Sequence, residues 1–277
     1  MPCKDEKVCR IFTFWEPEEK IPGYLKLCMK TWTKFFPDYE IVVLNYANLT
    51  DWIGKDCFDP ILYQKFSLPK QADAIRCAVL KKYGGLWLDC DTIITGNNIH
   101  HVLQNESSFM LIDQHIAFIK AQKESVILTK WFNQIKMRLK FYKAYHQKPY
   151  LFHRFLLFLC YPRKYKKLVK NLENWDFLGN GALGKILKKA KRPTEFFSID
   201  KVKGCVFPEL IKYGCISKEN YQKFYFDNDF SAELVNNPTG VILLHNSWTP
   251  EKYLQMDEQE FLKQNNTLSN FLKKWMD

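Results

Sequence analysis

Several features that would narrow the class of protein at once are missing from this sequence. No stretch reaches the roughly 18 to 20 uninterrupted apolar residues that a membrane-spanning helix needs. The nine cysteines are scattered without C-x-x-C spacing, which argues against a zinc site or a disulfide framework and favours reduced thiols. Residues 1–7 carry acids among their bases and have no apolar signal core, so we expect no export segment and a cytoplasmic location.

Acidic residues are also missing from one long segment. The chain has 277 residues and a formal net charge of +11. Eleven basic residues and no Asp or Glu lie between Lys136 and Lys170, so this segment holds the whole excess and the rest of the chain is balanced. A nucleic-acid-binding surface along the entire chain is therefore not indicated, and we expect no nucleic-acid partner.

The hydrophobic content and patterning of the sequence predict a globular α/β protein. The 47% hydrophobic content suits one large domain, so we expect residues 1–277 to form a single domain with a helical, basic and aromatic insertion at 123–178. Hydrophobic patterning predicts strands at 8–15, 39–44, 86–88, 109–112, 116–119 and 241–244. It predicts helices at 22–36, 67–83, 123–172, 183–191 and 257–275, with Gly84-Gly85 ending the second of them.

The sharpest motif is Asp89-Cys90-Asp91, which follows the apolar run Leu86-Trp87-Leu88. Side chains alternate along a strand, so the two carboxylates project to the same side where the strand ends. Like charges held together need a counter-cation, and a hard divalent ion with open positions for a diphosphate supplies it. Two solvated acids at a strand end are the plainer alternative.

The preceding helix adds Gln71-Ala-Asp73-Ala-Ile-Arg76, in which Asp73 and Arg76 share a helix face. One interpretation of this pair is a simple intrahelical ion pair. However, the full string QADAIRCAVLKKYGGLWLDCDT resembles the sugar-binding D-x-D region of family 32 glycosyltransferases, which include capsular polysaccharide synthesis enzymes and the large clostridial glucosylating toxins.

This resemblance implies a GT-A type, Rossmann-like fold that binds a nucleoside-diphosphate sugar and a divalent cation, Mn²⁺ or Mg²⁺. It assigns Asp73 and Arg76 to the donor sugar, Asp89 to ribose and sugar hydroxyls, and Asp91 to the metal. Asp89 also belongs to the expected metal site, and Asp89, Asp91 and Arg76 are the candidate catalytic residues. Trp15 matches an aromatic residue that packs on a uracil-type base, although a tryptophan at a strand end also suits the core.

A second cluster follows the last predicted strand, as His245-Asn-Ser-Trp248 and then Lys252. Related enzymes close the metal site with a late polar cluster of this kind. The resemblance therefore implies that His245 completes the metal shell, that Ser247 and Trp248 lie near the diphosphate, and that Lys252 neutralises the leaving group. A structural histidine is the alternative.

A third motif is Gly179-Asn180-Gly181. It predicts a turn before a helix, with Asn180 as a candidate acceptor contact.

The expected function is a retaining, metal-dependent transfer of sugar from a UDP-sugar to a saccharide or lipid-linked saccharide in bacterial surface polysaccharide synthesis. No side chain stands out as a covalent nucleophile, so we expect same-face attack assisted by the leaving phosphate. One enzymatic alternative stays open, because an apolar strand followed by D-x-D also begins the active site of haloacid-dehalogenase-like phosphatases.

A third hypothesis is not enzymatic and concerns the basic segment, in which aromatic residues alternate with bases. Such mixing suits single-stranded nucleic acid or a helix in the headgroup layer of an anionic membrane, as well as a solvated helical face. We expect peripheral association with the inner face of the membrane, with LFHRFLLFLCY buried in the headgroup layer. Arg163, Lys164, Lys166 and Lys167 would then contact lipid phosphate.

Overall fold

A computed structural model describes residues 9–96, 98–112, 115–190, 192, 194–198, 217–227 and 240–276. The strands are β1 (Cys9–Phe14), β2 (Tyr39–Leu44), β3 (Gly85–Leu88), β4 (Thr92–Ile94), β5 (Phe109–Ile112), β6 (His115–Ala121), β7 (Phe197–Ser198) and β8 (Val241–Leu243). The helices are α1 (Gly23–Phe35), α2 (Leu49–Ile53), α3 (Ile61–Lys65), α4 (Leu68–Tyr83), α5 (Asn98–Leu103), α6 (Val126–Tyr145), α7 (Tyr150–Cys160), α8 (Tyr165–Asn171), α9 (Asn180–Leu187), α10 (Lys218–Phe226), α11 (Glu251–Leu254), α12 (Glu258–Leu262) and α13 (Thr267–Met276).

The chain divides into two compact units, and this mixture of strands and helices confirms the predicted α/β class. Unit 1 takes the described residues of Met1–Asn45, Trp87–Glu106 and Ser198–Asp277. Unit 2 takes those of Tyr46–Leu86 and Ser107–Phe197. The expectation of one domain with an insertion stays a prediction.

Unit 1 opens with a β-α-β arrangement. Strands β1 and β2 are parallel and in register from Cys9 opposite Tyr39 to Phe14 opposite Leu44. The last four residues of β1 are buried, as its apolar pattern predicts. A parallel pair needs a crossover connection, which α1 provides. The sequence prediction for residues 8–44 is therefore confirmed to within about a residue or two at each end.

A second strand pair in unit 1 was predicted only in part, since a strand was expected at 241–244 but not at β4. Strand β4 has three residues and pairs antiparallel with β8, Thr92 opposite Leu243 and Ile94 opposite Val241. Helix α1 holds this pair, because the indole of Trp32 donates to the carbonyl of Thr92 at 2.7 Å. The backbone N–H of Ile94 donates to the hydroxyl of Thr31 at 3.0 Å. The pair therefore lies next to α1 in the core of unit 1.

The end of the chain differs from its prediction. The single helix predicted over 257–275 is wrong, since α12 and α13 are separate helices. Asp257 and Glu260 form a capping box at the start of α12. Asn266 accepts a hydrogen bond from the backbone N–H of Ser269 at 2.8 Å, which satisfies a donor at the start of α13. Two capping signals within ten residues therefore mark two helices, where hydrophobic periodicity alone indicates one.

Unit 2 contains α4, the antiparallel pair β5 and β6, and the helices α6 to α9. Its largest fully buried side chains include Trp131, Phe141 and Phe177. Residues 123–178 are mainly helical, as predicted, through α6, α7 and α8. Among the described residues, none of the helices is both long and apolar enough to cross a membrane.

The cysteines follow the expectation only in part. Within the described ranges, Cys28, Cys57, Cys77, Cys90 and Cys160 carry free thiols. Cys9 is disulfide-bonded, which differs from the expectation of reduced thiols throughout.

Gly84 ends α4 and offers a direct test of this geometry. Its φ is 70°, and a Cβ there would lie 2.7 Å from the backbone nitrogen of Lys123. Replacing it by Ala should lower the free energy of unfolding by roughly 1–3 kcal/mol, because only glycine adopts this backbone region without strain. Urea unfolding followed by circular dichroism measures the change.

Gly184 is the matched control, because it lies inside α9 with no atom within 4 Å of a built Cβ. Gly184→Ala should be neutral or stabilise by about 0.5–1 kcal/mol through helix propensity. Equal stability of Gly84→Ala and the wild type would contradict the left-handed backbone conformation at Gly84.

Candidate functional site

The Asp89-Cys90-Asp91 motif forms the turn between β3 and β4. Cys90 is buried, and its sulfur lies 3.2 Å from the hydroxyl of Thr13. Asp89 and Asp91 are both partly exposed. The buried residue between two accessible acids agrees with the predicted alternation, so both carboxylates lie on the accessible side of this turn.

Asp89 is held by its own neighbours in the motif. The indole Nε1 of Trp87 donates to Asp89 Oδ1 at 2.7 Å. The backbone N–H of Thr92 donates to the Asp89 carbonyl at 2.9 Å, which closes the turn. The tryptophan that precedes the motif therefore packs in the core and also orients the first carboxylate.

Asp91 is joined to the second predicted cluster by backbone hydrogen bonds. The N–H of Asn246 donates to Asp91 Oδ2 at 2.8 Å, and the N–H of Leu244 donates to the Asp91 carbonyl at 3.1 Å. Both contacts follow from the pairing of β4 with β8, since Asp91 precedes one strand and Leu244 follows the other. The structure thus brings together the D-x-D motif and the His-Asn-Ser-Trp segment, as expected from the sequence. We call this contact of Asp91 with Leu244 and Asn246 the Asp91 junction.

Two buried tyrosines support this junction, and sequence reasoning missed both. The hydroxyl of Tyr24 donates to Asn246 Oδ1 at 2.5 Å and lies 3.1 Å from the hydroxyl of Thr249. The hydroxyl of Tyr221 accepts the backbone N–H of His245 at 3.1 Å. Nothing in the sequence separates these tyrosines from ordinary core residues, because their partners lie some 24 to 225 positions away.

The pKa values of these phenols indicate the charge of the site. Burial raises the pKa of Tyr24 well above its usual range, and the negative charge of Asp91 raises it further. Burial and Asp91 act on the pKa of Tyr221 in the same direction. Both phenols therefore stay protonated at neutral pH and serve as fixed dipoles around the carboxylate of Asp91.

His245 lies at the start of the short 3₁₀ helix Asn246–Trp248. Its ring is 4.6 Å from the ring of Trp248 and 5.6 Å from that of Tyr221, measured between centroids. The carbonyl of Trp248 accepts from Gln222 Nε2 at 2.7 Å. The histidine is therefore half-buried within an aromatic cluster that fixes its ring.

The remaining predicted residues of unit 1 differ in exposure. Ser247 and Lys252 are exposed, and the ammonium of Lys252 lies 4.7 Å from the ring centroid of Tyr253. Trp15 is partly buried and packs against the core of unit 1, while its backbone N–H donates to the carbonyl of Leu44. Its indole thus has a core face and an accessible portion. The donor-binding roles of these residues stay predictions.

The expected metal ligands were Asp89, Asp91 and His245. Among the described residues, no group of three or more His, Cys, Asp or Glu side chains is gathered closely enough to hold a metal ion. A closed protein cage is therefore not formed by this part of the chain. Mg²⁺ and related ions are also bound by one or two carboxylates together with substrate phosphates and water. The half-exposed Asp91 beside the His245 segment fits that open kind of site.

Asp73 and Arg76 belong to unit 2 and form an intrahelical ion pair, which is one of the two interpretations that the sequence leaves open. Arg76 Nη2 lies 3.3 Å from Asp73 Oδ1, and the two residues are 4% and 5% exposed. Arg76 also donates to the carbonyls of Ile116 and Ala72. The pair is thus a well-buried structural element of α4. Its contact with a donor sugar and a catalytic part for Arg76 stay predictions.

Gly179 lies directly against the side chain of Asp73, and this contact explains why position 179 is a glycine. A Cβ at Gly179 would lie 2.3 Å from Asp73 Oδ2, so only glycine lets the chain pass over this carboxylate. The predicted turn before a helix is present but ends two residues earlier than expected, because α9 already begins at Asn180 with Gly179 as its N-cap. The proposed acceptor contact of Asn180 stays a prediction.

The sequence matches a known protein family over more than half of its length. A family model described as a capsular polysaccharide synthesis protein matches residues 2–178. The chain belongs to this family. The expected family, glycosyltransferases of the capsular polysaccharide synthesis type, is confirmed at that level.

Solved structures similar to this capsular polysaccharide synthesis protein are distant. The PaToxG glycosyltransferase is 17% identical, with 64% of this chain and 79% of that chain covered and a TM-score of 0.31. The glycosyltransferase GlyE of Streptococcus pneumoniae TIGR4 is 12% identical, with 98% and 63% covered and a TM-score of 0.41. No curated protein matches the chain in sequence. At these TM-scores, neither structure assigns a role to any residue of this family member.

Tyr24→Phe tests the support of the Asp91 junction. The change removes only the hydroxyl that bonds Asn246 and Thr249, so the free energy of unfolding should fall by about 1–3 kcal/mol as buried partners lose a hydrogen bond. Chemical denaturation gives this value, and hydrogen exchange of the Asn246 amide should accelerate. Tyr150→Phe, at an exposed tyrosine, is the control and should leave both unchanged. Unaltered exchange in Tyr24→Phe would show that Tyr24 does not hold this segment.

Proposed function

We propose that this chain is a retaining glycosyltransferase of GT-A type. It transfers a sugar from a nucleoside-diphosphate sugar, a UDP-sugar, to a saccharide or lipid-linked saccharide during bacterial surface polysaccharide synthesis. The observation that carries the proposal is the 2.8 Å hydrogen bond from the Asn246 N–H to Asp91 Oδ2. It joins the D-x-D turn to the His-Asn-Ser-Trp segment within one compact unit, where a diphosphate and a cation would find acidic and imidazole groups side by side.

Preorganisation is the first contribution of these residues. Asp89 is oriented by the Trp87 indole and Asp91 by the Asn246 N–H. Polar groups that are already oriented need not reorganise during reaction, which favours the charged transition state. Asp89 would contact hydroxyls of the ribose and sugar, and its carboxylate would also take part in the proposed cation site.

A divalent cation, Mn²⁺ or Mg²⁺, would be held by Asp91 and His245, with Asp89 nearby. When bound, it would stabilise the negative charge that develops on the leaving diphosphate. Lys252 is exposed on α11 and is proposed to neutralise the same charge, with Ser247 and Trp248 near the phosphates. The accessible portion of the Trp15 indole is proposed to pack on the base.

The transfer itself is proposed to retain the configuration of the sugar. The bond from the anomeric carbon to the diphosphate oxygen breaks, and a bond to the acceptor oxygen forms on the same face. The proton of the acceptor hydroxyl passes to the departing phosphate oxygen. This path needs no covalent sugar–enzyme intermediate, so mass spectrometry of the enzyme during turnover should show no sugar adduct.

Asp91→Asn is the decisive variant. Asparagine keeps an oxygen for the Asn246 N–H but removes the charge, so the fold should survive. Cation-dependent hydrolysis of UDP-sugars should fall by about a hundredfold or more. The assay follows release of UDP with Mn²⁺ or with EDTA, and hydrolysis of p-nitrophenyl phosphate is measured in parallel. Asp38→Asn, an exposed acid of unit 1, is the control.

Near-wild-type turnover by Asp91→Asn would contradict the assignment of this site. Metal-dependent hydrolysis of the phosphate ester without release of UDP would favour phosphatase chemistry instead. A thermal-shift screen of nucleotide sugars with and without Mn²⁺ identifies the donor, since a matching ligand stabilises the folded protein by mass action.

Helix α7 supports the proposed membrane association. It exposes six large apolar side chains in addition to Tyr150, among them Leu151 at 85% and Phe155 at 59% exposure. The basic residues Arg163, Lys164, Lys166 and Lys167 follow it and are exposed as well. An apolar helical face followed by bases suits the interface of an anionic bilayer, where side chains bury in the headgroup layer and cations meet lipid phosphate.

Leu151→Asp with Phe155→Asp tests this surface. Co-sedimentation with phosphatidylglycerol vesicles should weaken at least about tenfold, because burying each apolar side chain contributes roughly 1.5–3 kcal/mol. Trp175→Asp, at a 74% exposed aromatic residue outside α7, is the control and should sediment like the wild type. Wild-type protein that stays in the supernatant at low salt would overturn the membrane proposal.

A further inference from the structure

A basic cavity of about 600 Å³ opens in unit 2 between α6, α8 and α9. Its volume lies within the range of small-molecule sites. The six basic residues that line it come from all three helices and their ends: Lys130, Arg138, Lys164, Lys167, Lys185 and Lys189. No Asp or Glu occurs among the described residues that line this cavity. It is separate from the Asp91 junction, which is formed entirely by residues of unit 1.

The cations in this cavity are close enough to disfavour one another. The pKa of Lys185 is lowered chiefly by the charge of Lys167, and further by Arg138 and Lys189. Two ammonium groups cannot form a hydrogen bond with each other, because both carry donors and no acceptor. An anion between them would satisfy both sets of donors and remove the repulsion.

Arg138 supplies a fixed charge at the base of the cavity. It is only 9% exposed, and its guanidinium donates to the carbonyls of Phe177 and Gly181. Its Nε is buried and finds no acceptor among the described residues. Burial lowers the pKa of Arg138 to about 10, with Asp176 acting in the opposite direction, so the group remains cationic at neutral pH. Arg138 is thus a buried cation whose hydrogen-bonding capacity the described residues do not fill.

The other lining residues indicate what accompanies the anion. The amides of Asn133, Gln134 and Asn171 line the same cavity, together with the apolar side chains of Met137 and Ile186. Amide groups both donate and accept, which suits sugar hydroxyls. Lysines and an arginine in one concave site suit phosphate oxygens.

We propose that this cavity binds the phosphate or diphosphate group of a phosphorylated saccharide. Its assignment to the acceptor rests on the proposed transferase function, whereas anion binding by the cavity does not. The lysines of α8 and α9 hold the phosphate oxygens, and Arg138 fixes the charge beneath them. The cavity therefore gives the enzyme a second anion site, one that selects substrates already carrying phosphate.

Calorimetric titration with inorganic pyrophosphate tests this site, in EDTA and without donor. The test variant is Lys167→Gln with Lys185→Gln, which removes the two cations that disfavour each other. The control is Lys166→Gln with Lys188→Gln, which lowers the net charge equally in the same part of the chain but at residues that do not line the cavity. Affinity should fall at least about tenfold in the first pair, since hydrogen bonds to charged groups are lost, and about twofold or less in the control.

Equal losses in the two pairs, or no binding to the wild type at millimolar pyrophosphate, would overturn the proposal. Asp91→Asn protein is included to separate this site from the donor site. It should bind pyrophosphate in EDTA like the wild type even where its UDP-sugar hydrolysis is lost. A failed transferase assay thus bears on the proposed function alone, and failed pyrophosphate binding bears on the cavity alone.

Two further ligands distinguish the source of the phosphate. A sugar 1-phosphate represents a soluble saccharide, and farnesyl diphosphate represents a lipid carrier. Tighter binding of either than of pyrophosphate, lost in Lys167→Gln with Lys185→Gln, supports the site and identifies its class of ligand. If binding of both survives in that variant, the cavity is not their site and the proposal fails.

Discussion

The candidate site depends on the antiparallel pairing of β4 with β8. These strands have three residues each and come from positions about 150 residues apart, so their pairing is stabilised by burial rather than by local propensity. All six residues are buried. Since Asp91 precedes β4 and His245 closely follows β8, the register of this pair sets the distance between them. The Asn246 N–H then reaches Asp91, and Tyr24 and Tyr221 fix the segment from the other side.

The two units carry opposite local charge. Around Asp91 in unit 1, burial and negative charge raise the pKa of Tyr24, Tyr221 and Cys28 together, which describes an anionic site. In unit 2, the cavity below α8 and α9 gathers six cations, and Lys167 lowers the pKa of Lys185. A diphosphate that binds together with a divalent cation suits the first environment. A phosphate that binds without a metal ion suits the second. This difference is the electrostatic basis on which we propose separate sites for donor and acceptor.

The sequence predicts those parts of the fold that depend on local pattern. The apolar patterns of β1 and β2, the start of α1 after Pro22 and the glycine that ends α4 all lie within short windows, and the structure agrees with them. Strand β4 is missed because three residues carry no readable period. Tyr24 is missed for a different reason: its partners Asn246 and Thr249 are more than 200 residues away, so no spacing in the sequence connects them. Motif residues are thus predictable, whereas the residues that hold the motif in place are not.

Gly179 shows how the motif and the cavity share one support within unit 2. Its backbone covers Asp73 Oδ2, and two residues later the carbonyl of Gly181 accepts from Arg138. The indole of Trp131 donates to the carbonyl of Leu178 at 2.8 Å, so the segment before α9 is held from α4 and from α6. One short stretch of chain within unit 2 therefore packs on the Asp73–Arg76 ion pair and also supplies the carbonyls of Phe177 and Gly181 that fix Arg138.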